Sequence, residues 1–238
     1  MSIELSVVIP LFNEEGAIQK VLEDHLRALS EIENEISGFE IVCLDDGSTD
    51  GTWDVLQKIK LTCPPLQLRL LRNHSNQGIT PSFNRLFQES QGAFIYLTAG
   101  DGQWPAENLV TLFKERQRTG ADIVVGIRQG RREVYNIWRK CLSYGFNILA
   151  QALFKIKIKD VNGIKLGRKE IFVEPLVSQS FFCEVERLYL AQLHGFKIAF
   201  TPVVFLKRTF GKEHGAKFEN VVWAIKDMVR YIFLRPRN

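Results

Sequence analysis

The chain has 238 residues, 45% of them hydrophobic and 24% charged, which is long enough for a large core and ordinary for a soluble globular protein. No apolar run reaches the roughly 20 residues that span a bilayer, Glu4 stands where a signal peptide would be basic, and Cys43, Cys63, Cys141 and Cys183 are too scattered for a zinc site or redox pair and read as reduced thiols of a cytosolic protein. The net charge of +4 hides an asymmetry, since residues 1–119 carry 10 Lys/Arg and 17 Asp/Glu whereas residues 120–238 carry 21 and 10; the second half therefore faces anions (phosphate esters, a membrane surface or nucleic acid) or plain solvent.

Residues 5–11 (LSVVIPL) read as a hydrophobic strand running into Phe12-Asn13-Glu14-Glu15-Gly16. Ile18, Val21, Leu22, Leu26, Leu29 and Ile32 then recur at helical spacing, with acids expected in the first turn. A second strand over 39–44 ends in Asp45-Asp46-Gly47-Ser48-Thr49-Asp50-Gly51-Thr52 and opens a helix carrying Trp53, Val55, Leu56 and Ile59. A third strand over 66–71 leads into residues 73–78, after which Thr80 is expected to cap a helix with Pro81 at its first position. The fourth strand, 93–97, delivers a polar turn in which Gly100 and Gly102 flank Asp101, with Gln103 following. Those glycines allow positive φ or close approach of a ligand, although an isolated Asp-Gly is also an ordinary turn. Pro105 suits the first turn of the next helix, which stops at Gly120, and a fifth strand follows over 122–126. Such alternation predicts a mostly parallel α/β sheet flanked by helices, with ligands at the carboxyl ends of its strands.

Beyond this point the pattern changes. Residues 128–140 are basic, and 134–154 mix Tyr135, Trp138, Leu142, Phe146, Leu149 and Leu153 with Arg139 and Lys140, which suits a core helix with a charged rim or a helix seated on a membrane. A short strand over 164–166, a helix over 181–194 bearing Glu184 and Glu186, and a strand over 197–206 follow; Pro202 marks that strand as an edge or a bulge. The tail, 218–234, places Val221, Val222, Ile225, Met228, Val229 and Ile232 at helical spacing with Lys226 and Arg230 opposite.

Neither G-x-x-x-x-G-K-[ST] nor a G-x-G-x-x-G after a strand occurs, so P-loop and dinucleotide readings lose support. Strand-end acids facing a basic half suit a nucleotide sugar: carboxylates hold base, ribose or a divalent cation while cations neutralise the departing diphosphate. Val7-Val8-Ile9-Pro10-Leu11-Phe12-Asn13-Glu14 resembles the V-V-I-P-x-Y-N-E opening of family 2 glycosyltransferases of GT-A fold. Leu44-Asp45-Asp46-Gly47-Ser48-Thr49-Asp50-Gly51-Thr52 is similar to their V-D-D-G-S-T-D-G-T, and Asn76-x-Gly78, Gly92 and Asp101-Gly102-Gln103 fall where that family has N-x-G, A-x-G and D-x-D-x-Q. Asp160-Val161-Asn162-Gly163-Ile164-Lys165, Glu184-Val185-Glu186 and Pro202 with Arg208-x-x-Gly211 resemble motifs of the dolichyl-phosphate mannose synthase branch. The resemblance runs from residue 5 to about residue 212.

The resemblance implies a GT-A domain over 1–212, with a nucleotide-binding half (1–126) and an acceptor-binding half (127–212), followed by an amphipathic basic helix over 213–238. It implies an inverting transfer of a hexose from a nucleotide sugar to a polyprenyl phosphate. By the same resemblance Pro10, Phe12, Glu14, Asp45 or Asp46 and Gly100 would line the nucleotide, and Asp101 and Gln103 would bind Mg2+ or Mn2+. Arg128 and Arg208 would clamp phosphates, and Glu184 and Glu186 would face sugar and acceptor. An acceptor phosphate is already anionic, so a general base matters less than usual, whereas a saccharide or another lipid as acceptor would need Glu184 or Glu186 as base. Three departures stand out: Ala99 replaces the first Asp of D-x-D, Phe12 the usual Tyr, and Gly211-Lys212-Glu213-His214 the usual G-x-S-K. Ala99 predicts weakened metal binding and keeps a second reading open, that of a catalytically weak nucleotide-sugar-binding partner protein. Localisation is expected to be cytoplasmic and peripheral to an anionic membrane surface. A membrane-protein partner or homo-oligomer stays open, and nucleic acid is not expected as a partner, because no RNA-binding motif accompanies the basic residues.

Overall fold

The computed structural model describes residues 3–62, 68–129, 163–180, 182–208 and 218–234, together with residues 145, 148, 151, 154 and 160. Apart from those single positions, the aromatic and basic stretch expected over 134–154 lies outside the described residues, as do residues 209–217.

Strands β1 (Leu5–Leu11), β2 (Phe39–Asp45), β3 (Leu68–Arg72), β4 (Phe94–Leu97) and β5 (Ile123–Gln129) alternate with helices α1 (Ile18–Ile32), α2 (Thr52–Thr62), α3 (Ile79–Glu89) and α4 (Glu107–Thr119). There follow β6 (Lys165–Arg168), a short α5 (Lys169–Val173), α6 (Cys183–Leu193), β7 (Ile198–Val204) and α7 (Phe218–Leu234). They build a seven-stranded sheet in the order β3-β2-β1-β4-β6-β5-β7. All pairings are parallel except those of β6, which runs antiparallel to β4 and β5. Pro202 lies in β7 at the sheet edge, where a missing N–H costs no ladder bond.

Period-2 alternation splits the core into two layers. Val7, Ile9, Ile41, Cys43, Tyr96 and Val124 point to the face covered by α1 and α4. Val8, Val42, Leu44, Ile95, Leu97 and Val125 point to the other, against Phe87 of α3, Phe172 of α5, Val185 and Leu188 of α6, and Met228 and Tyr231 of α7. Each such side chain contributes roughly 1.5–3 kcal/mol on burial. Because β1 is wholly buried on both faces, it reads as a continuous apolar run rather than as alternation.

Local chemistry shifts several boundaries. Helix α3 begins at Ile79 with Gly78 as its N-cap, not with Thr80, and no side chain caps it. Pro81 is thus its third residue, still among the first four N–H positions that lack an intrahelical acceptor, and is tolerated there. Glu14 and Glu15 precede α1 rather than occupy its first turn. Pro105 likewise lies just outside α4. In α7 the inner face is Ala224, Met228 and Tyr231, whereas Ile225 and Val229 point outward. Tyr231 draws the helix round by packing against Phe154, Phe182 and Tyr189.

Register places the site. In parallel strands the carboxyl ends of β1, β2, β3 and β4 share one edge of the sheet. Lys165, opposite Leu97, brings the start of antiparallel β6 to that same edge, and Arg128 and Val203 bring the ends of β5 and β7.

Candidate active site

The β1 and β2 loops interlock. Asn13 takes a left-handed conformation (φ 57°), and its Oδ1 accepts from the Thr49 backbone N–H at 2.8 Å. The backbone N–H of Asn13 donates to Ser48 Oγ at 3.0 Å, that of Glu14 to Thr52 Oγ1 at 2.9 Å, and that of Gly51 to Glu15 Oε2 at 3.0 Å. These bonds fix Glu14 at the start of α1, where Ala17 and Ile18 donate back to its carbonyl.

Asp45 and Asp46 are turned inward. Asp45 Oδ1 accepts from the Ser48 N–H at 3.0 Å, while Oδ2 lies 3.0 Å from Arg72 Nε. Asp46 organises residues 73–78: Oδ1 accepts from Asn73 Nδ2 (2.6 Å) and the Gln77 N–H (2.9 Å), and Oδ2 from the Gly78 N–H (2.9 Å). Pro10 is buried in β1, and Phe12 is half-buried at its end.

At the end of β4, Asp101 Oδ1 accepts from the Gln103 N–H at 3.0 Å across Gly102, whose φ of 70° favours glycine. A Cβ on Gly100 would fall 2.0 Å from Leu11 Cδ2, so the β1 and β4 ends are in close apposition. The Gln103 carbonyl accepts the Leu206 backbone N–H at 2.9 Å, and Gln103 Nε2 donates to the Leu206 carbonyl at 3.0 Å. Asn108 of α4 pairs twice with the Val204 backbone, and Trp104 packs on Phe205 with ring centroids 4.7 Å apart. This scaffold carries Arg208 into the site, with Nη2 donating to Glu14 Oε1 at 2.5 Å and Nη1 lying 3.7 Å from Asp101 Oδ2. Burial pushes the Glu14 carboxyl up to about 7; Arg208 opposes the shift and Asp101 adds to it.

The remaining expected residues are engaged elsewhere at this edge. Arg128 forms a bidentate pair with Asp160 (Nε–Oδ2 2.9 Å, Nη2–Oδ1 2.8 Å), with its side chain only 6% exposed. Glu186 accepts backbone N–H groups of Val177 (2.7 Å) and Ser178 (2.9 Å), one on each oxygen. Glu184, two residues away and so on another side of α6, meets Lys165 Nζ at 2.8 Å and Arg187 Nε at 3.6 Å. Burial would raise the Glu184 pKa, but Lys165 and then Arg187 overcome it and hold the carboxyl at about 2. The structure therefore brings Glu14, Asp101, Gln103 and Arg208 together and links Glu184 to the β4 end through Lys165. Lys165, Arg187 and Asp160 were given no role by sequence reasoning. A lysine in a four-residue strand was a signal for the first, and an arginine three positions after Glu184 for the second.

Glu184 gives a pH-dependent prediction. Its depressed pKa stabilises the fold fully above the ordinary value of 4.5, and this contribution is lost as pH falls toward 2. Glu184→Gln should therefore cost about 3 kcal/mol at pH 7, and the gap to the wild type should close as pH falls through that window. Urea unfolding at a series of pH values would measure it.

For Mg2+ or Mn2+, the donors present fit a partial shell. Asp101 and Gln103 supply oxygens, Glu14 Oε2 is buried without a hydrogen-bond partner, and no group of three or more His, Cys, Asp or Glu suited to a metal occurs among the described residues. Oxygen ligands completed by diphosphate and water are the usual environment of such cations.

A profile of Glycosyl transferase family 2 matches residues 6–174. A dolichol-phosphate mannosyltransferase from Pyrococcus furiosus is 31% identical over 176 residues, covering 71% of this chain and 47% of its own. A dolichyl-phosphate beta-glucosyltransferase from Dictyostelium discoideum is 28% identical over 98% of this chain and 75% of its own. The chain thus spans about half the length of the first relative and three quarters of the second. Among solved structures, the mannosyltransferase PcManGT from Pyrobaculum calidifontis, in complex with GDP-Man and Mn2+, superposes with TM-score 0.66 at 17% identity, covering 97% of this chain and 65% of that one. Glucosyl-3-phosphoglycerate synthase from Mycobacterium tuberculosis, in complex with phosphoglyceric acid, gives TM-score 0.69 at 16% identity, covering 98% and 81%. The two structural likenesses establish the fold, the expected GT-A arrangement, and nothing finer.

Proposed function

Because the chain belongs to glycosyl transferase family 2, we propose that it transfers a hexose from a nucleoside diphosphate sugar to a polyprenyl phosphate, with inversion at the anomeric carbon. The observation that carries the acceptor class is the state of the two candidate bases. Glu184 is held ionised at about 2 by Lys165 and Arg187, and both oxygens of Glu186 accept backbone N–H groups. Neither suits the removal of a proton from a sugar hydroxyl near neutral pH. A phosphate acceptor needs no such base.

In the reaction, an acceptor phosphate oxygen attacks the anomeric carbon from the face opposite the leaving group. The carbon–oxygen bond to the β-phosphate breaks, and its electron pair leaves on the nucleoside diphosphate. Arg208 neutralises that charge once it turns from the carboxylates to the diphosphate. Asp101 and Gln103 would hold the divalent cation, whose contribution when bound is further electrostatic stabilisation of the diphosphate. Asp46 shapes residues 73–78 beside the nucleoside, and Phe12 offers an aromatic surface at the end of β1. Arg128, paired with Asp160, holds the β5 end in place and reaches phosphate only if that pair opens.

The test is transfer by the purified protein from a panel of UDP- and GDP-sugars, with polyprenyl phosphate or a free saccharide as acceptor and with Mn2+ or chelator. Metal-dependent transfer to the lipid phosphate alone is expected. Transfer to saccharide alone would overturn the acceptor class, and nucleotide binding without any transfer would favour the binding-protein reading.

Peripheral attachment to an anionic bilayer through α7 is part of the same reading. Ile225, Val229 and Phe233 lie four residues apart on its outer side, with Phe233 82% exposed and Trp223 62% exposed. Lys226 and Arg230 are exposed beside them, whereas Asp227 is turned to the Gln179 and Ser180 N–H groups. An apolar stripe flanked by cations suits anionic headgroups. Trp223→Ala and Phe233→Ala should each weaken binding to phosphatidylglycerol vesicles by roughly tenfold or more, the cost of one aromatic anchor. Sedimentation equal to that of the wild type would rule this attachment out.

A further inference from the structure

We propose that Glu14 supplies the carboxylate that Ala99 lacks, so that the divalent cation of this site is held between Glu14 and Asp101. The inference rests on the donor-site reading above and reassigns Glu14 from the nucleoside to the metal. Three observations carry it. First, Glu14 is only 8% exposed, and its Oε2 is buried with no hydrogen-bond partner among the described residues. An ionised oxygen left so costs on the order of 1–3 kcal/mol or more, which a bound cation would offset. Second, one guanidinium reaches both acids, Nη2 to Glu14 and Nη1 toward Asp101. The two carboxylates therefore face a common gap that already holds a cationic group. Third, both acids are positioned independently of Arg208, Glu14 through Thr52 and the start of α1 and Asp101 through the Gln103 N–H, while the close approach of Gly100 to Leu11 holds the β4 and β1 ends together.

Charge balance then explains an exchange. Once a cation holds both acids ionised, two carboxylates outnumber the one guanidinium, which favours a divalent cation over the single positive charge of arginine. A divalent cation held by the two acids would release Arg208 from them, free to bind the phosphates of the nucleoside diphosphate. Arg208 is in this account a tethered stand-in for the metal in the ligand-free protein.

Mn2+ electron paramagnetic resonance titrations in the presence of UDP or GDP test the assignment, alongside nucleotide affinity measured in chelator. Glu14→Gln and Asp101→Asn should each lower Mn2+ affinity by at least about tenfold. Glu14→Gln should not weaken metal-free nucleotide affinity, because it releases Arg208 for the phosphates, and Ala99→Asp placed in the Glu14→Gln background should recover most of the lost Mn2+ affinity. Wild-type Mn2+ affinity in Glu14→Gln would overturn the proposal while the donor site stood. An equal loss of nucleotide affinity with and without metal would also overturn it, returning Glu14 to the nucleoside. Absence of Mn2+ binding by the wild-type protein with either nucleotide would overturn the donor-site reading as well.

Discussion

Asp101→Asn is expected to lower kcat/KM for hexose transfer by about 1,000-fold or more, while moving stability by less than about 1 kcal/mol. The substitution keeps an oxygen able to accept the Gln103 N–H, so the turn at Gly102 survives. What it removes is a negative charge at the point where β4 presents its only carboxylate, since position 99 is alanine. In a transfer that makes little demand on a base, stabilisation of the departing diphosphate is the main contribution the protein can make. An oxygen ligand that positions the cation there should act chiefly in the transition state, so kcat should fall more than KM rises. Steady-state rates at saturating Mn2+, read beside a thermal melt, would decide it. A loss below tenfold would place the metal elsewhere.

Gly163→Ala should have the largest effect on stability, a loss of about 4 kcal/mol or more, or no soluble protein at all. A Cβ at position 163 would lie 1.8 Å from the Gly126 carbonyl oxygen. That oxygen belongs to backbone, and it has little room to retreat: the Gly126 N–H donates to Ile164 at 2.8 Å, and β5 is paired on its other side with β7. The substitution would pry β6 from β5 where the sheet turns antiparallel. Gly120→Ala is the control. Nothing stands within 4 Å of a Cβ there, and only its φ of 64° resists, so a cost of about 1–2 kcal/mol is expected. Urea midpoints of the two variants, compared with the wild type, would separate a backbone collision from conformational strain. Gly163 also lies between Asp160, which holds Arg128, and Lys165, which holds Glu184. Any Gly163→Ala protein that folds should therefore lose activity too.

Much of the architecture is legible from local chemistry. The apolar runs at β1 and β2, the helical spacing in α1, and the acids at the ends of β1, β2 and β4 all depend on neighbours within a few residues, and they specify a parallel α/β sheet with its ligands at one edge. Gly102 and the Asp101 turn belong to the same class, because a short-range hydrogen bond needs only the local chain. The family motifs added candidate residues but no account of how those residues meet. The face that α7 buries was misread for the same reason: periodicity supplies a stripe, and only the neighbouring Phe182 and Tyr189 decide its rotation.

What the sequence by itself determined was the succession of elements, the side of the sheet on which polar loops gather, and the chemical types available there. Only the tertiary structure decided which of those groups face one another. Glu14 and Arg208 are 194 positions apart and meet because β7 is carried to the β4 loop by Asn108 and Gln103. Arg128 is committed to Asp160, Asp46 to residues 73–78, and Glu186 to Val177 and Ser178. The physical reason is that a charged group's role depends on its desolvation and its nearest partner, and both are set by strand order and register rather than by position along the chain.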